Sequence, residues 1–132
     1  MMLQVSAGIV LSKGKILAMK RGPSKYSYLT GKFEFPGGKI EDDESPKEAL
    51  IREFSEELKT DIKDIDMKLI CVTEYQYPDF PVRLHSFLIT TNNFEFTLTE
   101  HTEYKWVKLS ELCGIDWAEA DKDIVKELLE AL

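Results

Sequence analysis

The chain has 132 residues, with 24 acidic against 17 basic side chains and a formal charge of −7 at neutral pH. That length suffices for one domain with its own apolar core, without disulfides or a structural metal as staples. The acidic balance disfavours non-specific adhesion to nucleic acid or to anionic membrane, so a protein of this charge that acts on polyanions must recruit them through cations.

In chain order, residues 3–11 and 15–19 are rich in strand formers, and Ser12-Lys13-Gly14 between them makes a hairpin turn. No basic residues precede the apolar start, and no uninterrupted run reaches membrane length, so neither export nor spanning is expected. Residues 21–32 carry the turn chemistry of a surface loop, with Gly22, Pro23, Ser24, Ser27, Thr30 and Gly31. Phe33-Glu34-Phe35 alternates like a short strand that Pro36-Gly37-Gly38 stops. At Ser45-Pro46-Lys47-Glu48, a hydroxyl cap, a proline at the first helical position and a glutamate three after the cap predict a helix over 46–58. Its apolar stripe is Ala49, Leu50, Ile51, Phe54 and Leu58. Residues 68–77 and 82–91 read as strands joined across Pro78-Asp79-Phe80-Pro81, and 94–98 and 103–109 as shorter ones. Ile124, Val125, Leu128, Leu129 and Leu132 predict an amphipathic C-terminal helix. Cys71 and Cys113 lack any paired metal-ligand spacing and are read as reduced thiols of a cytoplasmic protein. One domain over residues 1–132 is expected.

The residues that carry chemistry lie on the first helix. At about 100° per residue, Glu53, Glu56 and Glu57 fall in one arc beside the apolar stripe, at the edge of the core. Like charges a turn apart repel, and more strongly where solvent is partly excluded. Arg52 offers one countercharge. A hard divalent cation with oxygen ligands is the more complete answer, since Mg²⁺ commonly joins a few carboxylates to substrate phosphates. Taken alone, a glutamate-rich helix is better explained by a solvated acidic face.

The context of that helix decides. Gly38, then Glu44, then Arg52, Glu53, Phe54, Glu56 and Glu57 match seven defined positions of the Nudix box, G-x5-E-x7-R-E-U-x-E-E-x-G-U, with U aliphatic or aromatic. Lys59 stands where the box has glycine and Thr60 where it has an aliphatic residue, which puts the helix C-cap in question more than the chemistry. The stretch Phe33 to Glu41, the hairpin Tyr75-Gln76-Tyr77-Pro78-Asp79, and Glu100 six residues before Trp106 resemble the MutT-like branch of that family.

The resemblance implies an α/β/α sandwich around a mixed sheet and an enzyme that cuts nucleoside triphosphates to the monophosphate and pyrophosphate. It implies Mg²⁺, with Mn²⁺ as a substitute, held by Glu53, Glu56, Glu57, the Gly37 carbonyl and Glu100. Glu53 is the first choice of general base and Glu100 the second, with Arg52 orienting Glu53 and Glu44 as the partner of Arg52. For Arg52 the alternative is an ordinary ion pair on the helix surface.

Around the substrate the resemblance implies Arg21, Glu34, Phe35, Pro36, Gly37, Gly38, Tyr77 and Asp121. Arg21 also reads as a solvated loop charge, and Phe35 and Tyr77, which could stack on a base, also read as core aromatics. Asp121 occupies the place, at the start of the last helix, where the oxidised-guanine branch carries an asparagine that reads the purine. Aspartate there is similar to relatives acting on CTP and modified deoxycytidine triphosphates, because an ionised carboxylate accepts only and suits a base with an amino donor. Helix capping is the competing reading of Asp121. His85 and His101 are read as structural or surface residues, with His101 adjoining Glu100. The substrate is thus a small nucleoside triphosphate, of the 8-oxo-dGTP type in a nucleotide-sanitising, DNA-repair role, with CTP or modified dCTP as the alternative. Stable nucleic-acid or membrane partners are not expected, and the chain is a monomer or a homodimer. A non-catalytic nucleotide-binding sensor is the competing class, although this sequence retains every box carboxylate.

Overall fold

A forked hairpin organises the molecule. In the computed structural model, which describes residues 2–132, β1 (Leu3–Ser12) turns into β2 (Lys15–Arg21) through Lys13 and Gly14. Both turn residues have positive φ, 52° and 78°, as a tight two-residue hairpin loop requires. The strands pair only beside the turn, Leu11 with Ile16 and Ser12 with Lys15, and then diverge.

Residues 33–39 fill the fork. β3 (Phe33–Glu34) pairs with β2, the chain crosses at Phe35 and Pro36, and β4 (Gly37–Lys39) pairs with β1. The Gly8 N–H donates to the Pro36 carbonyl at 2.7 Å and fixes the crossing. Pro36-Gly37-Gly38 therefore does not end the extended structure as the sequence suggests. Gly37 opens a second short strand, because a β-carbon there would overlap the Ser6 backbone of β1.

β5 (Asp66–Gln76) and β6 (Pro81–Thr90) form the second hairpin, and β6 runs parallel to β1 from Leu3/Val82 to Leu11/Thr90. β7 (His101–Lys108) lies antiparallel to β2 on its outer side. The sheet is mixed, and a helix covers each face, giving the expected α/β/α sandwich. α1 (Pro46–Leu58) packs on β1 and β4, and α2 (Glu119–Ala131) packs on β5 and β6.

Alternation along the strands makes two cores. Val10, Leu17, Met19, Phe87 and Ile89 meet Leu50, Phe54 and Leu58 of α1. Ala7, Ile9, Ile16 and Leu84 meet Ile124, Val125 and Leu128 of α2. Leu129, and Leu132 just past the end of α2, continue the helical spacing yet stay exposed. No helix of the described residues is long and apolar enough to cross a membrane.

Two further expectations are corrected. Residues 94–98 are not a strand. Phe94, Phe96 and Leu98 face the α1 core, while the backbone is tied to the end of α1 and the turn after it: the Thr97 N–H donates to the Leu58 carbonyl at 2.9 Å, and the Glu95 carbonyl accepts from Thr60 Oγ1 at 2.6 Å. The Thr97 N–H thus satisfies an orphan helix carbonyl instead of joining a ladder. Residues 21–32 are not wholly surface either. Arg21 belongs to β2, and Leu29 is buried with Tyr26 and Tyr28 packed against the same core.

Lys59 ends α1 in the left-handed conformation, φ 56° and ψ 36°, the geometry that glycine provides in the Nudix box. The Thr60 N–H still reaches the Phe54 carbonyl at 3.2 Å, so the cap forms with a strained residue. Replacing Lys59 by glycine is expected to stabilise the fold by about 0.5–1 kcal/mol, read as a higher urea midpoint at unchanged slope.

Candidate active site

Three contacts set the rotation of α1 over the fork. The capping box is complete, with Glu48 N–H to Ser45 Oγ at 3.1 Å and Ser45 N–H to Glu48 Oε1 at 2.8 Å. Ser6 Oγ of β1 donates to the Pro46 carbonyl at 2.6 Å. Phe54 lies over Gly8, where a β-carbon would overlap its ring. With the apolar stripe so fixed, Glu53 and Glu57 face a cavity of about 1040 Å³ that straddles the fork.

Glu53 lies against Gly38, where a β-carbon would overlap its carboxyl group. Glu100 comes from the connection ahead of β7 and is brought in by Thr99, whose Oγ1 donates to the Glu57 carbonyl at 2.5 Å. Glu53 and Glu100 both stand within hydrogen-bonding reach of Glu57. Burial, then the Glu53 and Glu100 carboxylates, push the Glu57 carboxyl up to about 9.

Behind this group Arg52 is saturated with acceptors. Its Nε and Nη2 hold Glu44 at 2.6 and 3.0 Å, Nη1 holds Glu53 at 2.8 Å, and Nη2 also reaches the Lys39 carbonyl at 2.9 Å. The Arg52 guanidinium holds the Glu44 carboxyl below its usual range. Arg52 is raised in turn, chiefly by Glu44. A bidentate, partly buried pair of this kind is far from a surface ion pair. Glu56 takes a different course from its helical neighbours: it is 58% exposed and turned to Arg52 Nη1 at 3.3 Å. The cavity lining includes Gly37, Gly38, Glu53, Glu57 and Glu100, whereas Pro36, Glu44, Arg52 and Glu56 stand behind it.

Among the described residues no three acidic, histidine or cysteine side chains are arranged around one point as finished ligands of a metal. The donor set nevertheless fits a hard divalent cation. All its donors are oxygens: the carboxyl groups of Glu53, Glu57 and Glu100 and the backbone of Gly37 line one end of the cavity, where a cation would offset the crowding of like charge on the half-buried Glu57.

The other end of the cavity is apolar, lined by Leu3, Val5, Ala7, Val82, Leu84 and Phe80. Phe35 lines it too, stacked on Trp117 with centroids 4.5 Å apart, and so combines core and cavity roles. Tyr77 does the same: it is buried, and its hydroxyl accepts from the Ala120 N–H at 3.0 Å. Asp121 sits in the first turn of α2, which is moored to β3 by the Ala118 N–H to Phe33 carbonyl bond at 2.8 Å. Its Oδ2 accepts from the Phe35 N–H at 3.0 Å, and Ala118 rather than Asp121 is the helix cap. The capping reading therefore does not hold. Burial, and then Glu34, push the Asp121 carboxyl up to about 8, against the opposing pull of the Phe35 N–H and Arg21.

Arg21 and Glu34 line the wall between the two ends and are ion-paired at 3.0 Å. His101 reaches Glu34 from β7, while His85 lies off the cavity and bonds Gln4 at 2.9 Å. Sequence reasoning missed the aromatic clasp: Tyr28 stacks on Tyr77, Tyr26 packs on Phe80, and the Tyr28 hydroxyl donates to Asp79 at 2.7 Å. Two tyrosines interrupting a turn-rich loop were the available signal.

The family model for the NUDIX domain matches residues 2–129. The chain is 36% identical to the 8-oxo-dGTP diphosphatase of Proteus vulgaris over 95 residues, covering 72% of this chain and 82% of that one. It is 36% identical to the CTP pyrophosphohydrolase of Escherichia coli over 89 residues, covering 60% and 64%. The solution structure of the E. coli ORF135 protein superposes with a TM-score of 0.82 at 28% identity, covering 98% of this chain and 89% of that one.

The two glycines of the fork separate fold from site. At Gly38 an added methyl meets the movable end of Glu53, so Gly38→Ala is expected to lower turnover about 100-fold with little change in thermal midpoint. At Gly37 (φ 155°) it meets the Ser6 backbone, so Gly37→Ala is expected to lower the midpoint itself. Thermal unfolding beside steady-state kinetics checks both.

Proposed function

The chain belongs to the Nudix family, and from that premise we propose a division of labour for the hydrolysis of a nucleoside triphosphate to its monophosphate and pyrophosphate. The activity class, a hydrolase of nucleotide phosphoric anhydride bonds that sanitises oxidised nucleotides, follows from the family and from relatives named 8-oxo-dGTP diphosphatase. The observation that carries the residue assignment is the gathering of Glu53, Glu57 and Glu100 at one end of a cavity whose other end is apolar.

Nudix hydrolases need a divalent metal, and Mg²⁺ is the ion we assign. Glu53, Glu57, Glu100 and the Gly37 carbonyl would hold it, with Glu56 joining after its side chain leaves Arg52. When bound, the ion supplies countercharge to the polyphosphate and makes water more acidic. Glu53 accepts the proton of the attacking water, and Arg52 fixes the Glu53 carboxylate by a 2.8 Å bond to Oε1 while Glu44 fixes Arg52 from behind. Water adds to the attacked phosphorus, the anhydride bond to it breaks, and pyrophosphate leaves. Glu100 is the second candidate for the base.

The nucleoside takes the apolar end, between Phe35, Tyr77 and the β1 and β6 side chains, with Asp121 at the base edge and Arg21 beside it. With Oδ2 engaged by Phe35, the other Asp121 oxygen is left for the ligand. Below about 8 that carboxyl holds its proton and both donates and accepts, as an amide does. This favours the 8-oxo-purine over the cytidine reading, which rests on an ionised, accept-only aspartate.

A panel of 8-oxo-dGTP, dGTP, CTP and modified dCTP with Mg²⁺, compared by kcat/KM, tests the reading. Pyrophosphate release is expected with 8-oxo-dGTP preferred, and no turnover on any nucleotide would favour the binding-sensor class. The sign of the pH effect is set by Asp121. Its proton is present below about 8 and lost above it, so the ratio of kcat/KM for 8-oxo-dGTP to that for CTP is expected to fall as pH rises from 7 to 9. Ionisations common to both substrates cancel in that ratio.

A further inference from the structure

Glu34 is held from two sides. Its Oε1 accepts from Arg21 Nη1 at 3.0 Å, and its Oε2 accepts from His101 Nε2 at 2.8 Å. The sheet register makes this possible, because β2 lies between β3, which carries Glu34, and β7, which begins at His101. A bulge between Lys20 and Arg21 shifts the β7 register by one residue. Lys20 pairs with Glu103, yet Arg21 pairs with His101 and not with Thr102. Since a one-residue shift exchanges the faces of a strand, the bulge puts the imidazole on the side of Glu34 and of the cavity.

The His101 ring is costly where it is. Its side chain is 5% exposed, and Nδ1 is buried with no hydrogen-bond partner among the described residues. A carboxylate only accepts, so Nε2 carries the hydrogen and Nδ1 is an unsatisfied acceptor. An apolar side chain of similar size would fill the space without that penalty. The polar bond that the ring does make is to Glu34, and Glu34 is the ion-pair partner of Arg21. Arg21 is 40% exposed on the cavity wall, and a lone pair at that exposure would leave its guanidinium free to swing. Two anchors on Glu34 restrict the carboxylate to one rotamer, and the guanidinium with it.

We propose that His101 is a positioning residue: by holding Oε2 of Glu34 it fixes the oxygen that aims Arg21 at acceptor groups of the bound nucleotide. The proposal rests on the reading of this cavity as a nucleotide site. His101 adjoins Glu100, so an effect through the carboxylate end is the alternative, and the two act on different kinetic constants.

Steady-state kinetics of the full chain with 8-oxo-dGTP and Mg²⁺ separates them. His101→Met, which keeps volume and loses the donor, is expected to raise KM about tenfold with kcat within about twofold. His101→Gln, which can still donate to Glu34, is expected to recover most of the loss. In an Arg21→Ala background His101→Met is expected to add nothing further. An unchanged KM, a fall in kcat of equal size in both backgrounds, or no recovery by His101→Gln overturns the proposal. If His101→Met does not fold, His101→Asn, too short to reach Glu34, takes its place under the same outcomes. A wild-type protein that releases no pyrophosphate overturns the functional reading as well, whereas an active wild type with additive variants overturns only the role of His101.

Discussion

Like charge crowded at the edge of an apolar core is the constraint on which the rest of this structure depends. Glu53, Glu57 and Glu100 are drawn together against repulsion that grows as water is excluded. The fold holds them there by contacts in which these three carboxylates take no part: the capping box, the Ser6 bond to Pro46, Phe54 over Gly8, and Gly37, which lets β4 approach β1. Arg52 relieves part of the repulsion from behind, but its remaining donors go to Glu44 and the Lys39 carbonyl. Arg21, Lys25 and Lys39 also line the cavity, yet among the described residues none of them is ion-paired with these three carboxylates, on the side where a polyphosphate and its cation would enter.

The fork in the first hairpin sets those carboxylates at one end of a cavity. Because β1 and β2 separate, the cavity opens through the sheet and joins the carboxylates under α1 to the apolar floor under α2. A nucleotide has the matching division, with an anionic tail and a flat, largely apolar base edged by hydrogen-bonding groups. Arg21, Glu34 and His101 lie at the seam between the two ends, and Asp121, moored through β3, closes the base end.

What the sequence discloses is what local physics decides. The capping box fixed where α1 begins, helical spacing brought Glu53 and Glu57 to one edge, and the turn at Lys13-Gly14 was evident from residue type. The pairing of Arg52 with Glu44 was legible through the family resemblance, eight residues apart in sequence. Features set by distant partners were not legible. Residues 94–98 alternate like a strand because Phe94, Phe96 and Leu98 share a core face, yet their backbone bonds the last carbonyl of α1 and the Thr60 hydroxyl. β4 was hidden because a glycine pair reads as a stop unless its neighbour is known. Glu56 belongs to the same helical arc as Glu53 and Glu57, but the choice between cavity and Arg52 is made by rotamer, not spacing. His101 read as structural because the bulge that turns it toward Glu34 exists only once β2 and β7 are paired.

The claim beneath all of this is that one turn of α1, with Glu100, forms a seat for a divalent cation. Titration of Mn²⁺ into the protein, followed by electron paramagnetic resonance and competed with Mg²⁺, measures it directly. One or more Mn²⁺ sites displaced by Mg²⁺ are expected, with affinity weakened about tenfold or more by Glu57→Gln in a protein that remains folded. Equal Mn²⁺ affinity in the wild type and Glu57→Gln would contradict it.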